Sequence, residues 1–432
     1  MEISILKQIN LVIVLAVWLS KELLPSAVEP EDILANNIGP VVVLPHATLS
    51  LNYDDNVFFQ NNKNKIDDFL TIFSPGLGLR YGENILDSNY IGLDYSPSLQ
   101  RYAENTELNT ESHALSFNIN YQKQNKFIFT GTDQLRIDNT LLKGGQRSFF
   151  KALDDGQKAT RGLLVERFSL EDNYRFEYII SPKTSAYVST SLNMNDYEER
   201  PHYYYQTVFG DFIPYSLFDV SNWNNTVGFG WQAFPKIKLY GSFFYGLTSV
   251  DTNLERMGLR PDSNIYGSHI SAIGNFSEKL TGNIQLGYQT RDFDRISSIT
   301  RSTSHSLPIF QMKLSYNYSE KGDLAFSYTR GGNISIENPN TAVESDSLKL
   351  DLNQKLGTTG KLIASLSTTY QVDSYLDRNK LTFKNLRFNS GISYSFNQWM
   401  KSGLTYSFTA FDSDGYIDYN VNSVMLSFSV GY

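Results

Sequence analysis

The feature that most constrains this fold is an alternation of large apolar residues with small or polar ones, repeated from about residue 46 to the end. The last segment, Val424 to Tyr432, reads VMLSFSVGY, with a large apolar residue at every second position. Successive side chains of a strand point to opposite faces, so each such segment predicts a strand with one apolar face. Beyond the N-terminal segment no helical period is comparably strong. The sequence therefore predicts an all-β fold.

The two faces of these strands differ in a way that is typical of membrane barrels. The same alternation occurs in residues 115–121, 284–288, 310–318, 386–396 and 404–408. The apolar face is rich in Tyr and Phe near strand ends, as aromatic girdles at a membrane interface require. The other face carries Ser, Thr, Asn, Gln and Gly, which suit a wet lumen. Because an open sheet edge cannot be satisfied in lipid, we expect a closed transmembrane β-barrel.

The connections between segments support this expectation, because short and long ones alternate. Outer-membrane barrels have short periplasmic turns and longer outer loops. The predicted short turns lie at 124–125, 181–183, 235–236, 278–279, 320–322, 358–359 and 397–398, and the predicted long loops at 138–161, 196–218, 251–262, 294–304 and 373–380. We expect a single antiparallel barrel of about 18 strands, with 16 as the alternative. An even count places both barrel ends in the periplasm and closes the last strand on the first.

The N-terminus predicts a signal peptide over residues 1–27. Lys7 precedes an apolar run, Leu11 to Leu19, that is too short to span a membrane, and cleavage is expected after Ala27. An uncleaved anchor is the alternative. Residues 28–45, with three prolines, would form a periplasmic leader, and residues 46–432 the barrel.

Composition excludes several functions. The chain has no cysteine and a net charge of −8, which argue against disulfides, cysteine-based metal sites and nucleic acid as a partner. The five histidines are scattered, and no GxSxG motif is present. An outer-membrane protease of the omptin type needs paired acids and a histidine at the loop rim. Asp196, Glu198, Glu199 and His202 could imitate such a site by chance. We therefore expect neither an enzyme nor a cofactor.

Charged residues on the polar face are candidates for a mixed-charge pore lining. The pore-lining candidates are Arg167, Arg175, Arg291, Lys313, Lys349, Asp351 and Arg387, with Asp94, Glu171, Glu177 and Asp373 as further acids on that face. Charges of both signs can pair across neighbouring strands. The loop from Lys143 to Arg161 could fold inward as a constriction, or remain a solvated surface loop. Its constriction candidates are Arg147, Lys151, Asp154 and Asp155.

The C-terminal strand also predicts an assembly signal. Leu426, Phe428, Val430 and the terminal aromatic Tyr432 form one apolar face, which resembles the signal that directs outer-membrane proteins to the barrel-assembly machinery. Tyr432 would sit at the periplasmic interface with its hydroxyl in water.

Several polar motifs each have a structural and a functional interpretation. Asp54-Asp55-Asn56 is either a hydrogen-bonded turn or a Ca²⁺ site, and Asp412-Ser413-Asp414-Gly415 is more consistent with a tight turn than with a calcium loop. The loop of Arg200, His202, Tyr203, Tyr204 and Tyr205 either stacks on sugars or lies at the membrane interface. Asp133 and Asp172 fall on the lipid face, so either a bulge shifts the strand or they lie above the hydrocarbon.

A family resemblance rests on residues near the first strand. LNYDDNVF at 51–58, SPGLGL at 74–79, LDY at 93–95 and Tyr102 occur in this order. This order resembles the β-barrel porin family whose members include outer-membrane proteins of exopolysaccharide loci. The resemblance implies the outer membrane of a Gram-negative bacterium and a transport role, and it supplies no catalytic residues.

The function expected from the sequence is a porin-like channel for hydrophilic solutes, with exopolysaccharide export as one use. The alternative is a non-conducting barrel that acts as scaffold, adhesin or receptor. The expected partners are outer-membrane lipid, the barrel-assembly machinery and a hydrophilic solute or polysaccharide. Oligomeric state does not follow from the sequence.

Overall fold

The computed structural model describes residues 36–82, 89–124, 126–141, 164–198, 204–206, 212–214, 219–251, 260–295, 304–334, 342–375, 382–413 and 418–431. Within them the chain forms 18 long strands of 12 to 18 residues. About 9 to 11 residues suffice for a tilted strand to cross a membrane, so every long strand exceeds that length.

The first seven long strands precede a pair of short ones. They are β2 (Val41–Asp54), β3 (Asp68–Tyr81), β4 (Tyr90–Tyr102), β5 (Thr110–Lys123), β6 (Phe127–Leu141), β7 (Leu164–Ser181) and β8 (Thr184–Tyr197). A three-residue strand β1 (Asn36–Ile38) precedes β2 and pairs with it. Strands β9 (Tyr204–Gln206) and β10 (Phe212–Pro214) pair only with each other in the described residues.

The other eleven long strands complete the sheet. They are β11 (Asp219–Phe234), β12 (Ile237–Asp251), β13 (Arg260–Asn275), β14 (Leu280–Arg295), β15 (Ser304–Ser319), β16 (Gly322–Ile334), β17 (Ala342–Leu356), β18 (Leu362–Tyr375), β19 (Thr382–Ser395), β20 (Met400–Ser413) and β21 (Tyr419–Val430). One 3₁₀ helix, Thr106–Leu108, lies between β4 and β5. Among the described residues, no helix has the length and apolar character needed to cross a membrane.

The sheet closes on itself. Each long strand pairs antiparallel with the next, β8 pairs with β11, and the last strand β21 pairs with the first, β2. In this closing pair Leu51 lies opposite Leu426 and Leu49 opposite Phe428. Closure leaves no edge strand, so every long strand has a paired neighbour on both sides. The predicted closed barrel of 18 strands is confirmed, and the alternative of 16 is excluded.

The first barrel strand starts earlier than the boundary expected at residue 46. Val41 to Pro45 already pair with β3. Pro45 does not end the strand, because it lies between the segment of β2 that pairs with β1 and the segment that pairs with β21. Proline has no backbone N–H to donate. Because β2 has no paired residue at Pro45 on the side of β1 and β21, no hydrogen bond between strands is lost there.

The connections alternate in length as predicted, except that the connection of residues 82–89 is longer than the next one, 103–109. Those at one end of the barrel, which we call the short-turn end, span 82–89, 124–126, 182–183, 235–236, 276–279, 320–321, 357–361 and 396–399. Those at the other end, the long-loop end, span 55–67, 103–109, 142–163, 198–218, 252–259, 296–303, 335–341, 376–381 and 414–418. Because the strand number is even, β2 begins and β21 ends at the short-turn end.

The outer face is apolar and its aromatic residues gather at the strand ends. Phe243 and Ile270 are 75% and 67% exposed, as expected for side chains that meet lipid. At the short-turn end the exposed aromatics include Tyr81, Tyr121, Phe127, Tyr178, Trp231, Phe234, Tyr316, Tyr394 and Phe396. This band corresponds to an interfacial girdle.

Asp133 and Asp172 lie on the outer face, and neither a bulge nor a position above the hydrocarbon accounts for them. They lie directly opposite each other in the β6–β7 pair, which has no register shift. Asp133 is the seventh of the 15 residues of β6, so the pair lies near mid-strand rather than at an end. The Tyr174 hydroxyl donates a hydrogen bond to Asp133 Oδ2 over 2.6 Å.

Candidate functional site in the barrel lumen

The inner face of the barrel is polar. In β21 the small residues Ser423, Ser427 and Ser429 alternate with the outward apolar ones, and their hydroxyls contact neighbouring strands. Thr48 Oγ1 and Ser429 Oγ, for example, are 3.0 Å apart across the closing pair. The period of two therefore puts a hydrogen-bonding surface around the whole interior.

The register places all seven pore-lining candidates on this inner face. Two of the arginines are paired with acids: Arg167 binds Asp138 through Nε and Nη2, at 3.0 and 2.7 Å, and Arg175 Nη2 lies 2.9 Å from Glu177. Lys349 and Asp351 pair with each other at 2.9 Å. Their function as a pore lining remains a prediction.

The remaining three candidates differ in their surroundings. Arg291 is 6% exposed, and its Nη1 donates to the hydroxyls of Thr248 and Ser263. Lys313 and Arg387 are exposed, and no ion pair forms with either of them among the described residues. The inner wall thus contains both neutralised and free cations.

Glu177 is the centre of a network that the sequence analysis found only in part. Its carboxylate accepts hydrogen bonds from Lys238 Nζ at 2.7 Å and Ser185 Oγ at 2.6 Å, besides the Arg175 contact. The Arg175 guanidinium also lies 3.6 Å from the centre of the Tyr187 ring. These contacts join β7, β8 and β12 on the inner face and pass over β11, whose glycines make room for them.

Two inward glycines of β11 explain how this network fits. A Cβ on Gly228 would meet the Tyr187 ring, and one on Gly230 would lie 2.6 Å from the Tyr240 ring. Glycine in a strand interior often marks a site of close approach. The GFGW segment at residues 228–231 is therefore the signal from which the crossing of Tyr187 and Tyr240 over β11 could have been predicted.

The Asp54-Asp55-Asn56 motif forms a hydrogen-bonded turn that fastens the loop of residues 55–67. Asp54 Oδ1 accepts from the Asn56 backbone N–H, and Asn56 Nδ2 donates to the carbonyls of Gln60 and Asn420. Asp55 accepts from Lys65 Nζ at 2.8 Å and from the backbone and side chain of Asn422 on β21. The three residues thus bind separate partners instead of converging on one point, which agrees with the turn interpretation.

Burial opposes ionisation of Asp55, but hydrogen bonds from Lys65 and Asn422 outweigh it and lower the pKa of this carboxyl below its ordinary value. Among the described residues, no group of three or more His, Asp or Glu side chains is arranged to hold a metal ion.

The fastened loop turns inward. Phe58 is fully buried and forms a cluster with Val57 and Leu108, against which Tyr102 and Leu164 pack. Leu164 begins β7, five strands along the barrel from β2. Loop 55–67 therefore reaches over the mouth at the long-loop end.

Further buried apolar residues continue around that mouth. On the inner face near the long-loop end, the apolar side chains that are at most 8% exposed include Leu70, Val165, Tyr197, Val250, Phe293, Leu307, Val343, Tyr419 and Val421. We call these residues, with Val57, Phe58 and Leu108, the apolar collar. Its burial means that these side chains are closely packed against their neighbours at this level around much of the circumference.

Other predicted features fall outside the described residues. The constriction candidates Arg147, Lys151, Asp154 and Asp155, the residues Arg200, His202 and Tyr203, and Asp414, Gly415 and the terminal Tyr432 all do so. Asp412 is described, and its Oδ2 lies 3.3 Å from Lys384 Nζ. Leu426, Phe428 and Val430 lie on the outer face of β21 as the alternation predicts.

The closed 18-strand sheet, the apolar outer face and the polar interior define an outer-membrane type of β-barrel. Residues 219–432, which comprise strands β11 to β21, match the model of the family "Putative beta-barrel porin 2". The resemblance to a β-barrel porin family is thereby confirmed, although the motifs that suggested it lie at residues 51–102, outside the matched part.

Solved structures of similar shape are distant in sequence. The outer membrane protein OpdK of Pseudomonas aeruginosa has 10% identity and a TM-score of 0.44, covering 90% of this chain and 99% of its own. The ferric-catecholate import receptor Fiu of E. coli K12 has 9% identity and a TM-score of 0.45, covering 92% of this chain and 82% of its own. The siderophore receptor PiuA of Acinetobacter baumannii has 9% identity and a TM-score of 0.46, covering 92% of this chain and 82% of its own. No curated protein sequence matches this chain. These similarities concern the fold and carry no information about a solute.

Proposed function

We propose that this protein is a porin-like channel in the outer membrane of a Gram-negative bacterium, through which hydrophilic solutes pass passively. The observation that carries the proposal is a closed 18-strand barrel with a polar and charged inner face. Barrels of 16 to 18 strands are wide enough to hold an aqueous channel. The short-turn end would face the periplasm and the long-loop end the cell exterior.

In this proposal the protein needs no catalytic step and no cofactor. A solute would diffuse along the hydroxyl and amide groups of the inner wall, and the wall charges would favour one sign of ion. Arg147, Lys151, Asp154 and Asp155 are proposed to narrow the pore together with loop 55–67. The proposed use is the export of an exopolysaccharide from the cell. The barrel-assembly machinery is proposed to contact the apolar face of the C-terminal strand, which consists of Leu426, Phe428, Val430 and Tyr432.

Single-channel conductance of the refolded barrel in a planar bilayer tests this proposal. We expect stable open steps in KCl, interrupted by brief closures when an oligosaccharide enters the pore. A barrel that is resistant to unfolding in detergent, and therefore folded, but gives no steps would contradict the proposal.

The apolar collar favours a second candidate, a non-conducting barrel that acts as scaffold, adhesin or receptor. Apolar constrictions can close a pore by excluding water. The double substitution Val57→Ser and Phe58→Ser makes the loop part of the collar polar. A silent wild-type barrel that this variant opens would be a gated channel, whereas silence of both proteins would support the second candidate.

A further inference from the structure

One row of residues on the inner face carries a cation on every second strand. Lys313 of β15 lies opposite Ser327 of β16, which lies opposite Lys349 of β17. The row continues with Thr369 of β18 and Arg387 of β19. Neighbouring strands are about 4.8 Å apart, so successive cations of this row are roughly 10 Å apart, with a hydroxyl between each two.

These cations face the lumen, and two of the three have no acidic partner among the described residues. Lys313, Lys349 and Arg387 are all exposed. Lys349 has one acidic partner, Asp351, whose other carboxylate oxygen accepts a hydrogen bond from Ser367. Among the described residues no ion pair forms at Lys313 or Arg387. Because the Debye length is about 8 Å at physiological salt, the fields of neighbouring members of the row overlap.

The positive wall continues to the short-turn end. There, β15 to β20 enclose a cavity of about 590 Å³ lined by Lys321, Lys355 and Lys401, with two acids, Glu320 and Asp323. Asp323 accepts a hydrogen bond from Asn353, and Lys321 Nζ donates to a turn carbonyl. Lys355 and Lys401 are exposed and form no ion pair among the described residues. Lys355 is six residues from Lys349 along β17, about 20 Å at the rise of a strand.

Part of the facing wall is different. On β6 to β12, Arg167, Arg175 and Lys238 each hold an acid at 2.7 to 2.9 Å. These cations are therefore committed to neighbours in the sheet, as Lys349 is to Asp351. Lys313 and Arg387, in contrast, have no acidic partner among the described residues and can attract a solute. Low-dielectric walls focus such a field into the lumen.

We propose that the β15–β20 wall is a binding track for a linear acidic saccharide, which enters at the cavity of Lys355 and Lys401 and meets Lys313, Lys349 and Arg387 along the wall. The regular spacing of cations fits a chain with repeated carboxylates. The hydroxyls of Ser327 and Thr369 between them fit a chain rich in hydroxyls. This inference rests on the proposed function and specifies its substrate class.

Binding to the detergent-refolded barrel tests the track without requiring conduction. The probe is a fluorescent hexamer of galacturonate, followed by polarisation at low and physiological salt, with maltohexaose and hexaglutamate as competitors. We expect the triple variant Lys313→Gln, Lys349→Gln and Arg387→Gln to bind at least about tenfold more weakly, since each lost contact removes a partly exposed charge pair. Hexagalacturonate should compete best and maltohexaose least.

A matched control removes three lysines from turns away from this wall: Lys126→Gln, Lys183→Gln and Lys236→Gln. It has the same change in net charge and should bind like the wild type. Equal weakening in both triple variants, or none in the wall variant, would overturn the track. Hexaglutamate binding as tightly as hexagalacturonate would overturn the assignment to a saccharide.

Bilayer recordings separate this inference from the proposed function. Silent barrels that still bind hexagalacturonate through the wall would reject passive conduction and leave the track intact. The opposite outcome is a barrel that conducts but does not bind the probe, with the same reversal potential in a KCl gradient for the wild type and the wall variant. That outcome would reject the track and leave the channel intact.

Discussion

At the scale of single residues, some positions of the barrel carry residues that the alternation of outward apolar and inward polar side chains does not predict. Gly228 has no side chain because the Tyr187 ring occupies that space on the inner face. Asp172 stands on the outer face opposite a second carboxyl group, Asp133. Like charges that lie directly opposite in a sheet are destabilising, and a charge facing lipid adds to that cost.

The substitution Asp172→Leu should therefore stabilise the barrel. It removes an acidic group from the lipid face while the hydrogen bond from Tyr174 to Asp133 remains. We expect a gain of about 1 to 2 kcal/mol in the free energy of unfolding, measured by urea titration in lipid vesicles. The neighbouring substitution Glu171→Leu, on the inner face, serves as the control and should give no gain. A loss of stability in Asp172→Leu would mean that this residue does not face lipid.

At the scale of elements, loop 55–67 behaves as a part of the wall rather than as a free connection. Backbone hydrogen bonds join Asp55 to Asn422 and Val57 to Ile66, at 3.0 and 2.9 Å. Asp68, at the start of β3, accepts hydrogen bonds from the backbone of Glu104 and from both the backbone and side chain of Asn105. The first two connections at the long-loop end are thus held against each other and against the last strand.

The contact of Asp55 with β21 predicts how this loop responds to acid. The pKa of Asp55 is lowered, so its stabilising contribution is complete above the ordinary value of about 4 and is lost as the pH falls through the lowered pKa. A fluorophore on Lys63→Cys should report a constant environment from pH 7 to about 4 and a change below it. In the variant Asp55→Asn the change should already be present at pH 7.

The control for this experiment is Asp67→Asn in the same loop. Asp67 accepts a hydrogen bond from Tyr53 and does not join the loop to β21. Its signal should follow that of the wild type. A fluorescence profile of Asp55→Asn that matches the wild type at every pH would show that the carboxylate does not hold the loop.

At the scale of the whole molecule, the even number of strands fixes the side on which each connection lies. Turns and loops alternate around the barrel, so a single orientation decides the position of all of them. Because the chain has no cysteine, single substitutions provide clean reporters.

Cysteine labelling in intact cells tests this topology. A membrane-impermeant maleimide should label Asn61→Cys, in loop 55–67, and should leave Thr358→Cys, in the turn between β17 and β18, unlabelled until the outer membrane is permeabilised. Both residues are exposed, so a difference in labelling reports sidedness rather than burial. Labelling of Thr358→Cys in intact cells would reverse the orientation or reject the strand count.

The sequence by itself determined the class of this protein and the face on which each side chain lies. A period of two in a strand is a local property, so Lys313, Lys349 and Arg387 could be assigned to the interior before any pairing was known. Seven of the eight turns at the short-turn end could be placed in the same way. The even strand count and the closed sheet followed from the turns and from the absence of edges in lipid.

Only the tertiary structure decided which of these inner charges are neutralised and which remain free. Pairing depends on register between strands, and on contacts such as that of Asp55 with Asn422, whose partners are 367 positions apart. Long-range contacts also decide the course of loop 55–67. The sequence indicates its turn residues, but the loop points inward because it packs against Leu108 and Leu164. A local pattern fixes where a side chain points, whereas the long-range packing of the closed barrel fixes what it meets there.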